Sequence, residues 1–359
     1  MRNTVLEVSR DAFLKNCESI KKYIDNKAMI MPVVKANCYG THLNKDSELM
    51  NKFDIVAVAI VDEAIKLREY GYKNDIFVLN QPYIEEIDAI IDNDVIIGLS
   101  SLEFLREIIS LNKRPRVHLE LETGMNRTGI VFSKLDEFLD VLKDSSIDVE
   151  GVYTHFSSAD IDDYFTNKQV ELFNNGVNKI KEFYPNIKYI HSSASNGLLN
   201  FDLGITNMVR PGIILYGYPS SKTCISKIQL YPVCKFKSKI SFIKEISIGD
   251  GVSYGRSFVA SNNIKVATVG CGYADGIKRE LSNKGYVSIN GKRCKIIGRV
   301  CMDSFMVDVT ELDDVKIGDD VYIFDNEVVT LEEVALDSDT INYEILSTIG
   351  ERVPRVYVD

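Results

Sequence analysis

The chain has 359 residues, 45% of them hydrophobic and 26% charged, and carries a formal net charge of −10. That length suits two domains, the composition suits a soluble globular protein with a real core, and the acidic balance argues against nonspecific nucleic-acid binding, which needs a cationic face. The longest uninterrupted apolar run, Ile55 to Val61, is far below the ~20 residues a membrane span needs. The N-terminus has no apolar h-region. Seven cysteines, scattered with no C-x-x-C pair, read as reduced thiols, so the cytoplasm is the expected compartment.

In chain order, apolar β-type runs at residues 28–34, 55–61, 76–79, 95–99, 117–121, 152–154, 189–191 and 208–210 alternate with amphipathic stretches such as 62–70, stopped by Gly71, and 167–183. Apolar runs without alternation suit strands buried on both faces. Eight of them with intervening helices predict a (β/α)8, TIM-like barrel over residues 1–225, with the first strand, about 1–9, free to pack on the C-terminal domain. Residues 218–223 are turn-rich and read as a linker. From Phe236 the texture alternates: Phe236, Ser238, Ile240 and Phe242 fall on one face, Lys237, Lys239 and Ser241 on the other. Asn290-Gly291 is the signal of a tight hairpin, and 305–309 and 321–324 read as further strands. Residues 226–359 are therefore expected to form an antiparallel β-rich domain.

Reactive side chains cluster at the predicted strand ends. Lys35 follows the first strand, Arg127 the fifth and Ser195 the seventh, while His155 ends the sixth and Arg210 the eighth. This is the face where barrel enzymes keep their active sites. Ser195 also suits a helix N-cap, a position compatible with phosphate binding. His42, His118 and His191 read as structural. Gly251-Val252-Ser253-Tyr254-Gly255 satisfies the G-x-S-x-G pattern of serine hydrolases, but that motif needs a strand, a sharp turn and a helix. The next residues here, 256–263, are polar and lead into another β run.

The segment Val33-Val34-Lys35-Ala36-Asn37-Cys38-Tyr39-Gly40 resembles the cofactor-lysine motif of the alanine racemase family, fold type III pyridoxal-phosphate enzymes. Further matches come in order at Thr123-Gly124-Met125-Asn126-Arg127, Tyr153-Thr154-His155, Val209-Arg210-Pro211-Gly212-Ile213, Val252-Ser253-Tyr254, Gly272-Tyr273, Cys301-Met302-Asp303 and Ile341-Asn342-Tyr343. The resemblance spans both domains. It implies a homodimeric L/D-alanine racemase with pyridoxal 5'-phosphate as cofactor, supplying D-alanine as a peptidoglycan precursor. Lys35 would hold the cofactor as a Schiff base and serve as one base, with Tyr254 as the other. Arg210 would face the pyridine nitrogen. Tyr39, Ser195, Gly212, Ile213 and Tyr343 would line the phosphate, Arg127 would approach the phenolic oxygen and the substrate, and His155 would lie against the ring. Tyr254, Tyr273, Met302 and Asp303 would enter from the partner subunit, the last three toward substrate. Arg210 and His155 would support the Tyr254 phenol through positive charge and hydrogen bonding. No metal site is expected.

Three positions depart from the family pattern. Glu120 stands where a carbamylated lysine commonly braces the arginine, so Arg127 would be held through water, by Glu122, or less firmly. Thr41-His42 replaces His-Gly, and Ala194 replaces an asparagine. The alternatives are a serine or broader-specificity racemase, because apolar pockets reject an added hydroxyl poorly, a barrel decarboxylase using the same cofactor, and a noncatalytic cofactor carrier. The decarboxylase would need a Gly-rich phosphate loop, and the carrier would lack the β domain.

Overall fold

The computed structural model describes residues 3–221, 224 and 226–359. The chain opens with β1 (Val5–Val8). It then lays down β2 (Met29–Ile30), β3 (Ile55–Val58), β4 (Asp75–Val78), β5 (Val95–Leu99), β6 (Arg116–Glu122), the short β7 (Ile130–Val131), β8 (Asp148–Tyr153), β9 (Tyr189–His191) and β10 (Met208–Val209). Strands β3, β4, β5, β6, β8 and β9 pair in that order as one parallel sheet, β7 adding an edge to β6, while β10 pairs with β2. Backbone hydrogen bonds from Asn207 N to Ile190 O (3.0 Å) and from Ala57 N to Pro32 O (2.8 Å) join the two pieces. The eight strands, β1 and β7 aside, thus ring one core as a (β/α)8 barrel. Every residue of β3 and β5 is buried, as strands covered on both faces require.

Two local expectations need correction. The first barrel strand is shorter than residues 28–34, because Pro32 has no N–H to give to a ladder; Val33 still bridges Ala57. The helix expected from Asn167 begins at Asp163 and runs to Phe183, since the Asp162 side chain caps it by accepting from Phe165 N at 2.9 Å.

The second unit contains β11 (Cys234–Ile246), β12 (Gly251–Val252), β13 (Phe258–Val259), β14 (Ile264–Val269), β15 (Tyr286–Ile289), β16 (Lys292–Ile297), β17 (Phe305–Asp308), β18 (Asp320–Phe324) and β19 (Arg355–Tyr357). Strand β11 pairs antiparallel with both β18 and β14, closing β11-β18-β15-β16-β17-β14 into an antiparallel barrel. β1 lies antiparallel to β11 and parallel to β19, so the first strand belongs to this sheet. The Asn290-Gly291 hairpin forms with both residues at positive φ, 51° and 73°, as a type I′ turn demands. Alternation along β11 holds only to Ile240. A register shift between Ile240 and Phe242 turns Phe242 outward, 54% exposed, and this bulge removes it from the expected buried face. The expected linker (218–223) and boundary (225/226) fall partly on residues 222, 223 and 225, outside the described residues.

One large apolar core runs through both units. A separate cluster of Ile246, Val252, Ala260, Val266 and Ile297 supports the β12–β13 hairpin.

Candidate active site

The C-terminal ends of the barrel strands open into a cavity of about 870 Å³ whose lining includes Lys35, Tyr39, Arg127, His155, Ser195, Arg210, Gly212 and Tyr343. Ile213 lies fully buried just behind this wall. Strands that end together at one rim bring side chains distant in sequence into one space, which is why the motifs are scattered along the chain.

Lys35 stands where the chain leaves the first strand, and the backbone beyond it is unusual. Ala36, Asn37, Cys38 and Tyr39 all have φ between 51° and 55°, and Gly40 comes next at 79°. Four successive non-glycine residues in the left-handed region cost about 4–8 kcal/mol at roughly 1–2 kcal/mol each, so the surroundings must enforce the turn. Within it, Cys38 N donates to Val34 O (3.0 Å) and Gly40 N to Ala36 O (2.8 Å). Cys38 and Tyr39 are buried beneath it, Tyr39 packing on Tyr216 at 4.7 Å between ring centroids. From the second domain, Arg355 Nε donates to Gly40 O (2.8 Å) and the Tyr357 hydroxyl to His42 O (2.9 Å). The Lys35 amine is half-buried, and its pKa lies below the ordinary lysine value. Desolvation is the main cause, the nearby Arg127 guanidinium adds to it, and Glu63 opposes it.

Arg210 lies at the heart of the rim, 2% exposed. One amino group reaches His191 Nδ1 (2.7 Å) and donates to His191 O (2.8 Å); the other donates to Thr154 O (2.7 Å) and Ser192 O (3.1 Å) and lies 3.5 Å from His155 Nδ1. Burial lowers its pKa to about 10, which still leaves a cation at neutral pH, solvated by carbonyls. An arginine has only donors, so His191 Nδ1 must accept. His191 Nε2 then carries the proton and donates to His118 Nδ1, 2.8 Å away. His118 Nε2 is left as a buried N–H with no partner among the described residues. Burial, with Arg210 nearby, holds both rings neutral, His118 at about 3 and His191 well below its usual value.

His155 is pushed down to about 3 by desolvation first and then by Arg210, Arg127 and Lys35. It is therefore neutral at pH 7. The expectation that it supplies positive charge needs correction: a neutral ring has only a hydrogen bond and a ring face to offer. At the opposite end of the cavity, the Ser195 hydroxyl accepts from Gly212 N at 3.1 Å. A Cβ at Gly212 would sit 2.4 Å from the Tyr39 hydroxyl. The wall there is bare backbone because nothing larger fits. Burial raises the pKa of both the Tyr39 and Tyr343 phenols, keeping them protonated donors.

The remaining candidates stand elsewhere. Tyr254 (70% exposed), Tyr273, Met302 and Asp303 lie at the surface of the second domain and do not line this cavity. Two turns carry the last three, and Tyr273 N to Cys301 O and Ala274 N to Met302 O, both 3.0 Å, tie them together. Arg352 bridges the same turns, donating to buried Asp275 (2.6 and 3.1 Å) and to Asp303 (2.6 Å). Ser253, the residue of the hydrolase-like motif, donates its hydroxyl to Arg299 O at 2.6 Å between two-residue strands, followed by a single 3-10 turn (Tyr254–Arg256) in place of the α-helix that motif needs.

Comparison with known proteins identifies the family. The models of the alanine racemase N-terminal and C-terminal domains match residues 8–220 and 233–357. The chain belongs to the alanine racemase family. It is 38% identical to the alanine racemase of Staphylococcus carnosus, over 99% of this chain and 95% of that one. It is 35% identical to alanine racemase 2 of Caldanaerobacter subterraneus subsp. tengcongensis, over 100% and 95%. The crystal structure of the Bacillus anthracis alanine racemase with bound L-Ala-P superposes with a TM-score of 0.93 at 35% identity, covering 100% of this chain and 96% of that one. Membership of a racemase family also removes the decarboxylase and carrier alternatives.

Glu120, a departure from the family pattern, is a buried acceptor. Its carboxylate is 3% exposed and accepts from the Ser100 hydroxyl (2.7 Å) and the Thr128 hydroxyl (2.9 Å). Glu122 accepts from Asn126 N (2.9 Å) and from Gly124 N. The two carboxylates thus pin the loop on either side of Arg127, acting on its neighbours, while the guanidinium itself is exposed in the single chain. Sequence reasoning missed His191, Glu63, Arg352 and Arg355 as supports of the site. His191 carried a usable signal, since it ends a barrel strand on the same rim as His155. The others act on backbone or on a distant turn and leave no local pattern.

Proposed function

We propose that this chain interconverts L- and D-alanine with pyridoxal 5'-phosphate held on Lys35, each site being completed by Tyr254 of a second copy. The observation that carries the reading is a half-buried, partly desolvated amine sharing one cavity with a buried arginine that only donates. The residues fit the cofactor. The Tyr39 and Tyr343 phenols and Ser195 offer donors for a phosphate beside the Cβ-free Gly212 wall, with the Ile213 backbone next to it, and Arg210 offers a donor for a ring nitrogen. Bound pyridoxal phosphate supplies an electron sink for the α-carbon.

The protein's own groups do the rest. A lysine whose pKa is lowered has a larger neutral fraction at neutral pH, so Lys35 Nζ is fit both to bind an aldehyde and to take or return an α-proton on one face. Racemisation requires a second acid/base on the opposite face, and the Tyr254 hydroxyl of the partner subunit fills that role. Lys35 serves the D-antipode and Tyr254 the L-antipode. Arg210 keeps its proton while donating, which moderates electron withdrawal and favours proton return over transamination. Arg127 orients the substrate carboxylate and the phenolic oxygen, and neutral His155 rests against the ring. The partner's Tyr273, Met302 and Asp303 narrow the entrance, favouring a small side chain.

A second copy is supported by the exposure of Tyr254, Tyr273 and Met302 and by their absence from the cavity of their own chain. We assign the reaction to the cytoplasm, whose reducing conditions suit seven free cysteines; no helix among the described residues is long and apolar enough to cross a membrane. The test is borohydride reduction of the cofactor-saturated protein together with α-deuteration of alanine in D₂O. A stable adduct at residue 35, exchange from both antipodes and no released CO₂ are expected. An unlabelled Lys35 would overturn the assignment.

A further inference from the structure

The left-handed segment after Lys35 begins with a backbone donor that the turn itself does not use. Ala36 N–H points to Glu63, donating to Oε1 at 2.6 Å, while the other oxygen of the same carboxylate accepts from Ala59 N at 2.8 Å. Glu63 sits in the first turn of the helix Val61–Glu69, directly after β3, and Ala59 is the first residue beyond that strand. One carboxylate therefore ties the peptide following the lysine to the next strand of the barrel. Charge-assisted bonds of this kind are stronger and shorter than neutral ones, and both oxygens are occupied. At the other end the same segment is held by Arg355 on Gly40 O. The Lys35–Gly40 turn is thus gripped at its entry by the barrel and at its exit by the second domain. The charged or titratable neighbours that act on the Lys35 amine are Arg127 and His155 across the cavity and Glu63 from the adjoining helix.

We propose that Glu63 is the positioning residue of Lys35: its carboxylate fixes the peptide on which the chain turns left-handed and so aims the lysine into the cavity. This rests on Lys35 being the cofactor lysine. A side chain of equal length without the charge, Glu63→Gln, can accept at one end only and presents an NH₂ to the other donor, so one of the two bonds is lost. Misplacement of a reacting group by an ångström costs up to ~10²-fold in rate.

The test mixes apo-protein with pyridoxal phosphate, follows borohydride-trappable adduct at Lys35 across a pH series, and compares wild type, Glu63→Gln and Asp62→Asn. Asp62 is exposed in the same helical turn and controls for loss of a charge. Glu63→Gln is expected to slow adduct formation by about tenfold or more. Its pH midpoint should move downward, because the carboxylate that favoured the protonated amine is gone, and Asp62→Asn should match wild type. Wild-type rate and midpoint in Glu63→Gln would overturn the proposal while leaving the Lys35 assignment standing; no adduct in wild type would overturn both. Should Glu63→Gln not fold, amide hydrogen exchange on the wild-type apo-protein decides. A protected Ala36 N–H despite its exposed side chain supports the clamp, and exchange as fast as in open loops overturns it.

Discussion

The two halves of the proposed chemistry are built in opposite ways. The barrel rim around Lys35 and Arg210 stands on the main core, with Arg210 2% exposed and its two amino groups, though not Nε, engaged by carbonyls and a histidine. The Tyr254 edge is a short hairpin standing on its own five-residue apolar cluster, with the phenol 70% exposed. Preorganisation is therefore complete on one side and, in the proposed dimer, waits on a partner on the other. A group whose pKa must be tuned is buried in its own chain; a group that must reach another chain's cavity is left free at an edge and held only through its backbone. The Asp275–Arg352–Asp303 bridge obeys the same logic, stiffening the turns beneath Tyr273 and Met302 while those side chains stay outside.

The contrast between the two halves breaks most visibly at the lysine. Lys35→Ala should abolish both the reducible adduct and racemisation, measured by borohydride trapping and optical rotation; residual adduct at another lysine with activity intact would move the site. Next in size, Tyr254→Phe should depress racemisation on the order of 10²–10⁴-fold, the usual worth of a general acid/base, while cofactor absorption is unchanged. Equal loss of cofactor binding would mean that Tyr254 supports the barrel rim as well.

The smallest effect is on stability. His118, His155 and His191 all have folded pKa values depressed below the ordinary histidine value by burial and by Arg210. Unfolding therefore releases them to take up protons. The stability they contribute is intact above about pH 6.5, the unfolded value, and is lost as pH falls toward about 3, where His118 and His155 titrate in the folded chain. Each contributes at most about 1.4 kcal/mol per pH unit. Denaturant titrations of the apo-protein between pH 6.5 and 5, above the carboxylate range, should show a falling midpoint with uptake approaching three protons from these rings, to which His42, also depressed by burial, adds. A flat profile would mean that these rings are not buried neutral.

Much of this was legible in the sequence because it is written in local patterns. Apolar runs marked the eight strands, Asn290-Gly291 marked a hairpin, and the collinear motifs marked the family. The features that escaped have non-local causes. Nothing in Ala36-Asn37-Cys38-Tyr39 announces a left-handed turn, since three of these four residue types avoid it; Glu63, Arg355 and packing on Tyr216 impose it from outside. The bulge that exposes Phe242 arises where β11 passes from β18 to β14, a property of barrel closure and not of residues 240–242. The neutrality of His155 depends first on burial and then on three cations brought together by the rim.

The claim that each site is assembled from two chains is tested most directly by mixing two dead variants. Lys35→Ala and Tyr254→Phe subunits, unfolded together and refolded in equal amounts, would form mixed dimers in which one site has lost both groups and the other neither. With half the dimers mixed and one of two sites intact in each, activity should return to about a quarter of wild type, given a closed two-fold dimer. If the mixture is no more active than its parents, Lys35 and Tyr254 act within one chain or not together, and the account is wrong.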